Sequence, residues 1–350
     1  MDDPVEFATR LDRHLDHVTR RRGKLGAPQV SVLAPALGID YRFGDATLPF
    51  HAASVGKLVT AALVMQLCEA GLVTPDTPVT DVLPADEVAG LFRTGEVTLE
   101  HLLTHTSGAA DYFDGRVSSG LRVSKEAVAD PDRLWTPQDL LAVSRERQRP
   151  VAGPGERFHY SDTGFVVLGR VLEEVTGEAF DRLVHHRILG PLGLQRAFLP
   201  YRSAPAIGTT ELAPMHLGRT DISRFRSLTC DWAGGGIAAT ADEWALLSAA
   251  LHECRLVGPE SLAYLARRRN RFRPGLEYGA GMMEVRFEGF APWLRRQPRL
   301  LGHIGVTATH LFHDPVHGAD IAMNFGSTRE MARSFRTLFE VVRLLGRTTA

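Results

Sequence analysis

The chain has 350 residues, 44% of them hydrophobic, enough to bury roughly three quarters of its unfolded surface in one large two-lobed domain or two smaller ones. Its 40 Lys and Arg residues balance 41 Asp and Glu, for a formal net charge of -1, so nothing overall attracts nucleic acid or an anionic membrane. Cys68, Cys230 and Cys254 are odd in number and widely spaced, which excludes a disulfide framework and a Cys-x-x-Cys metal pair and points to reduced thiols.

The chain begins acidic, Met1-Asp2-Asp3-Pro4, with no basic-then-apolar leader, and no run approaches the roughly 18 apolar residues of a membrane span. The expected setting is cytoplasmic. Phe7, Leu11, Leu15 and Val18 then recur at helical spacing and predict an amphipathic helix over 4–22. Two strands are predicted at 29–33 and 39–43, around a turn at Ala34-Pro35-Ala36-Leu37-Gly38. Apolar residues at Leu58, Ala61, Ala62, Met65 and Cys68 predict a helix with one buried face, opened by Ser54. Beyond Gly71 and Pro78, helical segments and Pro/Gly-rich loops dominate to about residue 230, with helices expected at 98–103, 136–145, 161–175 and 179–188. Thr136-Pro137 is a capping residue followed by proline at the first helical position. From Gly234-Gly235-Gly236-Ile237 onward, helices are expected at 241–251 and 259–267, and strands at 278–287, 300–304, 309–312 and 319–325. A closing helix over 327–345 would place Met331, Phe335, Leu338, Phe339 and Val342 on one face. The cluster Arg267, Arg268, Arg269, Arg271 and Arg273 reads as a solvated helix end and loop.

Ser54 and Lys57 are three residues apart, so on a helix their side chains share a face. The bland reading is a capped, solvated first turn. The chemical reading is a nucleophile with a base beside it, since an apolar setting and the positive end of the helix dipole both favour a neutral lysine. The backbone N–H of Ser54 would be free to bind an oxyanion.

Two further stretches bear on that choice: Phe158-His159-Tyr160-Ser161-Asp162-Thr163-Gly164 before a helix, and Leu301-Gly302-His303-Ile304-Gly305 at the end of a strand. With Ser54-Val55-Gly56-Lys57 they resemble, in order and spacing, the three motifs of the serine β-lactamase and penicillin-binding protein superfamily. The similarity is to the class C β-lactamase, DD-peptidase and esterase branch, where the second motif is Tyr-Ser-Asn or Tyr-Ser-Asp and the third can be His-x-Gly. Residues 97–108, with Thr98, His101, His105 and Gly108, and the glycine-rich segment 234–243 resemble the same branch, so that about residues 25–345 are covered.

The resemblance implies an α/β (α+β) fold: an antiparallel sheet flanked by helices, with a mainly helical lobe inserted. The α/β lobe would comprise residues 1–60 and 234–350, the helical lobe 61–233, with the site in the cleft between them. Ser54 would attack an ester, amide or lactam carbonyl and form an acyl-enzyme. Lys57 and Tyr160 would share the proton transfers, the lysine ammonium favouring a tyrosine phenolate. The N–H of Val306, just after His303-x-Gly305, would join that of Ser54 as the oxyanion hole. No metal or cofactor is implied. Ser161 and Asp162 also have a structural reading as the N-cap of the next helix.

Where branch members hold hydroxyl residues that bind a substrate carboxylate, this chain has Ile304 and Val306, which donate no hydrogen bond. A poor β-lactamase and D-Ala-D-Ala carboxypeptidase is therefore expected, preferring a neutral ester or amide. Asp162 stands where asparagine is common; facing Lys57, it would hold the ammonium and pass the base role to Tyr160, or it would attract a substrate amine. His310, His313 and His317 lie on a predicted strand and turn and would not share a face, so no metal site is expected there. His101 and His105 lack the glutamate of a metalloprotease motif. Residues 109–133 would roof the cleft. The leading expectation is a serine esterase or amidase acting on a small-molecule ester, amide or acyl substrate. The alternatives are an acyltransferase, a D-Ala-D-Ala carboxypeptidase or β-lactamase, and a non-catalytic binding or sensor protein on the same fold.

Overall fold

A computed structural model describes residues 3–349; Met1, Asp2 and Ala350 lie outside the described residues. The first helix, Pro4–Arg22, is capped by Asp3, whose carboxylate accepts the Glu6 N–H at 2.8 Å. It buries Phe7, Leu11, Leu15 and Val18. An eight-stranded antiparallel sheet follows from both ends of the chain. Gln29–Ala34 pairs with Ile39–Phe43 on one side and with Ala319–Asn324 on the other; Thr309–Asp314, Leu300–Gly305, Met283–Val285, Leu276–Tyr278 and Asn270–Arg273 continue outward.

Alternation along the strands divides the core in two. One face, with Val30, Val32, Ile321 and Phe312, packs on the first helix and the C-terminal helix Met331–Leu345. The other, with Leu311 and Ala322, meets the helices that carry the site. There the helix Lys57–Glu69 differs from expectation. It is buried almost all round, from Lys57 to Met65 and at Leu67, because it is enclosed by Asp162–Thr176, Trp232–Gly235, Pro259–Ala266 and the strand Leu300–Gly305.

Other departures have local causes. The predicted strand 278–287 is two short strands, Leu276–Tyr278 and Met283–Val285. The arginine cluster is not a helix end and loop throughout: Asn270–Arg273 is the edge strand, with Arg271 and Arg273 exposed, charges that discourage edge-to-edge pairing with another chain. The segment 179–188 is helical only over Phe180–Val184 and then widens into a π-helical turn, His185–Leu189. The last helix starts at Met331 instead of 327. Helix Val123–Ala129 was not predicted. After the glycine run the chain pairs Ala238–Ala239 with Phe50–His51 in a separate ribbon, not with the main sheet. Among the described residues, no helix is long and apolar enough to cross a membrane.

Candidate active site

Ser54 sits in a single 3₁₀ turn, Ala53–Gly56, placed directly before the helix Lys57–Glu69. Ala53 and Val55 are buried and Ser54 is partly exposed. Two close approaches shape the turn. A Cβ on Gly235 would lie 2.2 Å from Ala53 O and one on Gly56 2.8 Å from Gly235 Cα, so the glycine run lets two backbones touch. On the other side a Cβ on Gly305 would lie 2.5 Å from Ala52 O and 3.0 Å from Ala53 Cβ, and Thr309 Oγ1 donates to Ala52 O at 2.8 Å. Ala53, His105, Trp232 and Ala308 have positive φ, four strained positions gathered around this turn.

Lys57 is fully buried, and its ammonium has three acceptors: Ser54 Oγ at 3.1 Å, Gly234 O at 2.7 Å and the Asp162 carboxylate. Those acceptors match the three N–H bonds of an ammonium. Tyr160, from the segment before the helix Asp162–Thr176, is hydrogen-bonded to Ser54 and has the Lys57 Nζ 5.2 Å from its ring centre. The expected phenolate is not its resting form. Burial, then the Asp162 charge, push the Tyr160 pKa well above its ordinary value, against the lowering bond from Ser54. Asp162 thus faces Lys57 and not open solvent. Ser161 is the N-cap by position only, because its hydroxyl donates to Ala110 O at 2.8 Å. The Asp162 N–H is met instead by Asp111 Oδ1 at 3.1 Å.

His303 is completely buried and is hydrogen-bonded to Tyr278. Its proton position follows from its neighbours. The Ser161 N–H donates to His105 Nδ1 at 3.2 Å, so His105 Nε2–H donates to Tyr278 Oη at 3.0 Å. Tyr278 then donates to His303 Nε2 at 3.3 Å, and His303 Nδ1–H to Ile304 O at 2.7 Å. Burial and the Lys57 charge keep both imidazoles neutral, His303 lowered to about 3 and His105 also well below its ordinary value. His105 lies 4.2 Å from the Tyr160 ring, centre to centre, and so sets the plane of that tyrosine.

Ile304 does not stand in the cleft: it packs with the core on the opposite face of the sheet. Val306 is 44% exposed, beyond the strand end, and lines a mostly apolar crevice with Phe113, Met215, Ile222, Leu228 and Asp231. The segment 109–133 forms part of that wall through Phe113 and Ala127. Two carboxylates were missed by sequence reasoning. Asp111 and Asp231 are both raised to about 7, first by burial and next by repulsion from Asp162. Both lie in segments without periodicity, and no local signal marks them.

Of the remaining histidines, His313 stands with His252 and Asp320, whose ligand atoms all lie within 4.8 Å of one another in a group that could hold a metal ion, while His310 and His317 have partners of their own. His310 Nε2 meets Ser334 Oγ at 2.7 Å, His317 Nδ1 meets Asp314 Oδ2 at 2.5 Å, and His313 Nδ1 meets Asp320 Oδ1 at 3.0 Å while stacking on His252. His101 closes a capping box with Thr98, and His105 points to Tyr278.

An antiparallel sheet covered by helices, with a serine and a buried lysine one turn apart, defines a β-lactamase/transpeptidase-like fold. The chain belongs to the Beta-lactamase family, whose sequence profile matches residues 45–344. It is 36% identical over 151 residues to Penicillin-binding protein 4 of Amycolatopsis lactamdurans, covering 42% of this chain and 35% of that protein. It is 31% identical over 209 residues to Esterase EstB of Burkholderia gladioli, covering 55% and 52%. The match therefore spans between a third and about half of these curated relatives. The crystal structure of D-amino acid amidase from Ochrobactrum anthropi SV3 superposes with a TM-score of 0.78 at 20% identity, covering 97% of this chain and 99% of that one.

Proposed function

We propose that the protein is a serine hydrolase that cleaves a small ester or amide through an acyl-enzyme on Ser54. The observation that carries this reading is the convergence on one hydroxyl of the Lys57 ammonium, 3.1 Å away, and the Tyr160 phenol. Lys57 donates to Ser54 Oγ, which leaves the serine proton directed at Tyr160. Ser54 Oγ attacks the carbonyl carbon while its proton passes to the Tyr160 oxygen, and the phenol's own proton goes to the leaving group. A neutral tyrosine relays in this way without storing charge. Lys57 remains cationic throughout and stabilises the developing negative charge. The N–H groups of Ser54 and Val306 receive the oxyanion. Water enters by the reverse relay and releases the acid.

The cleft lies where a sheet-bearing lobe, 1–60 with 234–350, meets a helical lobe, 61–233. A cytoplasmic setting is supported by Cys68, Cys230 and Cys254, all free thiols. Exposed Val306 supports preference for substrates without a carboxylate at that place, since an anion there would lose hydration without replacement.

Intact mass after a fluorophosphonate, alongside turnover of p-nitrophenyl acyl esters with and without an amine acceptor, tests the reading. One adduct and ester turnover, both lost in Ser54→Ala, are expected. Absence of both in the wild-type protein would sink it, and transfer to the amine would mark an acyltransferase.

A further inference from the structure

Away from Ser54, basic side chains from separate segments meet over one depression. A pocket of about 600 Å³ is lined by Arg296, from the loop before the strand Leu300–Gly305, and by His317, from the turn between Thr309–Asp314 and Ala319–Asn324. Arg343 and Arg347, at the end of the helix Met331–Leu345, complete the basic side. Pro298, Val316 and Val342 form the apolar side. Val342 packs in the core on the sheet face opposite the Ser54 turn, so this pocket is no part of the cleft described above. Its volume is that of a small-molecule site, for which the range is about 300–1,000 Å³.

Positive charge is in excess there. Arg343 is paired with Glu340, its Nε 2.8 Å from Oε2. Arg296 and Arg347 are exposed, and among the described residues neither has a carboxylate partner. Arginines at a helix C-terminus also complement its carbonyl end, but Arg296 belongs to another segment and has no such role. His317 is held from behind. The buried Asp314 carboxylate accepts the Val316 N–H at 2.9 Å and the His317 N–H at 3.3 Å through Oδ1, and the His317 Nδ1–H at 2.5 Å through Oδ2. The two nearby carboxylates, Glu340 and Asp314, are therefore spent on their own partners, and His317 Nε2 is left for the pocket. A Cβ on Gly346 would lie 3.8 Å from that nitrogen, so the glycine at the helix end puts no side chain between the imidazole and the arginines.

Two guanidinium forks and an imidazole suit an oxyanion with more oxygens than a carboxylate offers. A phosphate monoester supplies three acceptor oxygens, and its second ionisation is at about 6. It pairs with His317 Nε2 whichever of the two brings the shared proton. We propose that this pocket binds a phosphate monoester, its oxygens on Arg296, Arg347 and His317 and its organic part against Pro298, Val316 and Val342. Binding there is independent of the chemistry at Ser54.

Isothermal titration calorimetry with phenyl phosphate tests this, with benzoate as a carboxylate of similar shape. Phenyl phosphate should bind about tenfold or more tightly than benzoate. Arg296→Ala and Arg347→Ala should each weaken it about tenfold, the loss of one charge-assisted hydrogen bond. Both side chains are exposed, so melting temperature and p-nitrophenyl ester turnover should stay at wild-type values. No binding of phenyl phosphate, equal affinity for benzoate, or affinity unchanged in both variants would overturn the assignment. Co-sedimentation with phosphatidylcholine vesicles, with and without phosphatidic acid, identifies the source of the phosphate. Sedimentation that needs phosphatidic acid and is lost in Arg347→Ala assigns it to a lipid headgroup; phenyl phosphate binding without sedimentation assigns it to a soluble ester.

Discussion

Lys57 reaches Ser54 across 3.1 Å with one N–H while its other two are held by Asp162 and Gly234 O. In the proposed mechanism a lysine so held directs the serine and does not accept its proton, which is left to Tyr160. Ser54→Ala should abolish ester turnover and labelling. Tyr160→Phe should retain slow labelling and lower kcat by about 10²- to 10⁴-fold, the range of general acid–base catalysis. A Tyr160→Phe enzyme with wild-type kcat would return the proton transfer to Lys57.

Asp162 raises the Tyr160 pKa, so Asp162→Asn should lower it. The alkaline fall of kcat/KM, where the Tyr160 phenol loses the proton it must give to the leaving group, then moves to lower pH. In the wild-type protein that fall lies above the ordinary tyrosine value of about 10. The same change leaves a buried ammonium without its counter-ion and should cost about 3 kcal/mol of stability, read from urea unfolding. A limb that stays in place would exclude Tyr160 as the group that titrates.

Asp111 and Asp231 are raised to about 7 from 3.8. Between those values the folded chain holds protons that the unfolded chain has lost, so these two groups withdraw stability as pH rises from about 4 to 7. Asp111→Asn removes one such charge but also an acceptor of the Asp162 N–H. The cleaner experiment is Asp231→Asn: its melting temperature should exceed the wild-type value by several degrees at pH 8 and match it near pH 4. The buried histidines act oppositely. His51, lowered to about 4, and His303 and His310, each lowered to about 3, add stability above pH 6.5 that is lost as pH falls through those values. Unfolding midpoints of each variant across pH separate the two contributions.

Gly305→Ala would drive a methyl group to 2.0 Å from Thr309 Oγ1 and 2.5 Å from Ala52 O. The strand end and the Ser54 turn must part, at a cost of about 1–3 kcal/mol for overpacking. Activity should fall far more than stability, by about 100-fold, the effect of small misplacement at a reacting centre. Parallel measurement of kcat/KM and melting temperature checks this.

Tyr278→Phe cuts the chain from His105 to His303 at its middle, leaving a buried donor on one imidazole and a buried acceptor on the other. The expected loss is about 1–3 kcal/mol, with a modest drop in kcat as the His105 ring, against which Tyr160 lies, loosens.

What the sequence makes legible is set by distance along the chain. Ser54 and Lys57 are one turn apart, so their contact follows from helical geometry alone. Tyr160 and His303 are visible through short motifs, but their states are not. The neutrality of Tyr160 comes from burial and from Asp162, which only the folded chain supplies. Asp231 stands among residues with no periodicity, and its setting depends on His51, 180 positions earlier by number, turning a lone pair toward it. Arg271 and Arg273 looked like a solvated loop because charge hides strand propensity; pairing with Leu276–Tyr278 overrides it. Ile304 misled for a simpler reason, since strand alternation sends it to the opposite face from His303.

The sheet joins Gln29–Ala34 to Ala319–Asn324, with Asn324 Nδ2 donating to Gln29 Oε1 at 2.8 Å. During synthesis the first hairpin emerges early and waits, one edge unpaired, until nearly the whole chain has left the ribosome. The Ser54 turn waits too, because Thr309, 257 residues beyond Ala52, supplies the hydroxyl that fixes it. A nascent chain or a fragment truncated before residue 300 therefore carries the reactive serine without the turn that aims it, and reactivity toward a fluorophosphonate becomes a readout of completed folding.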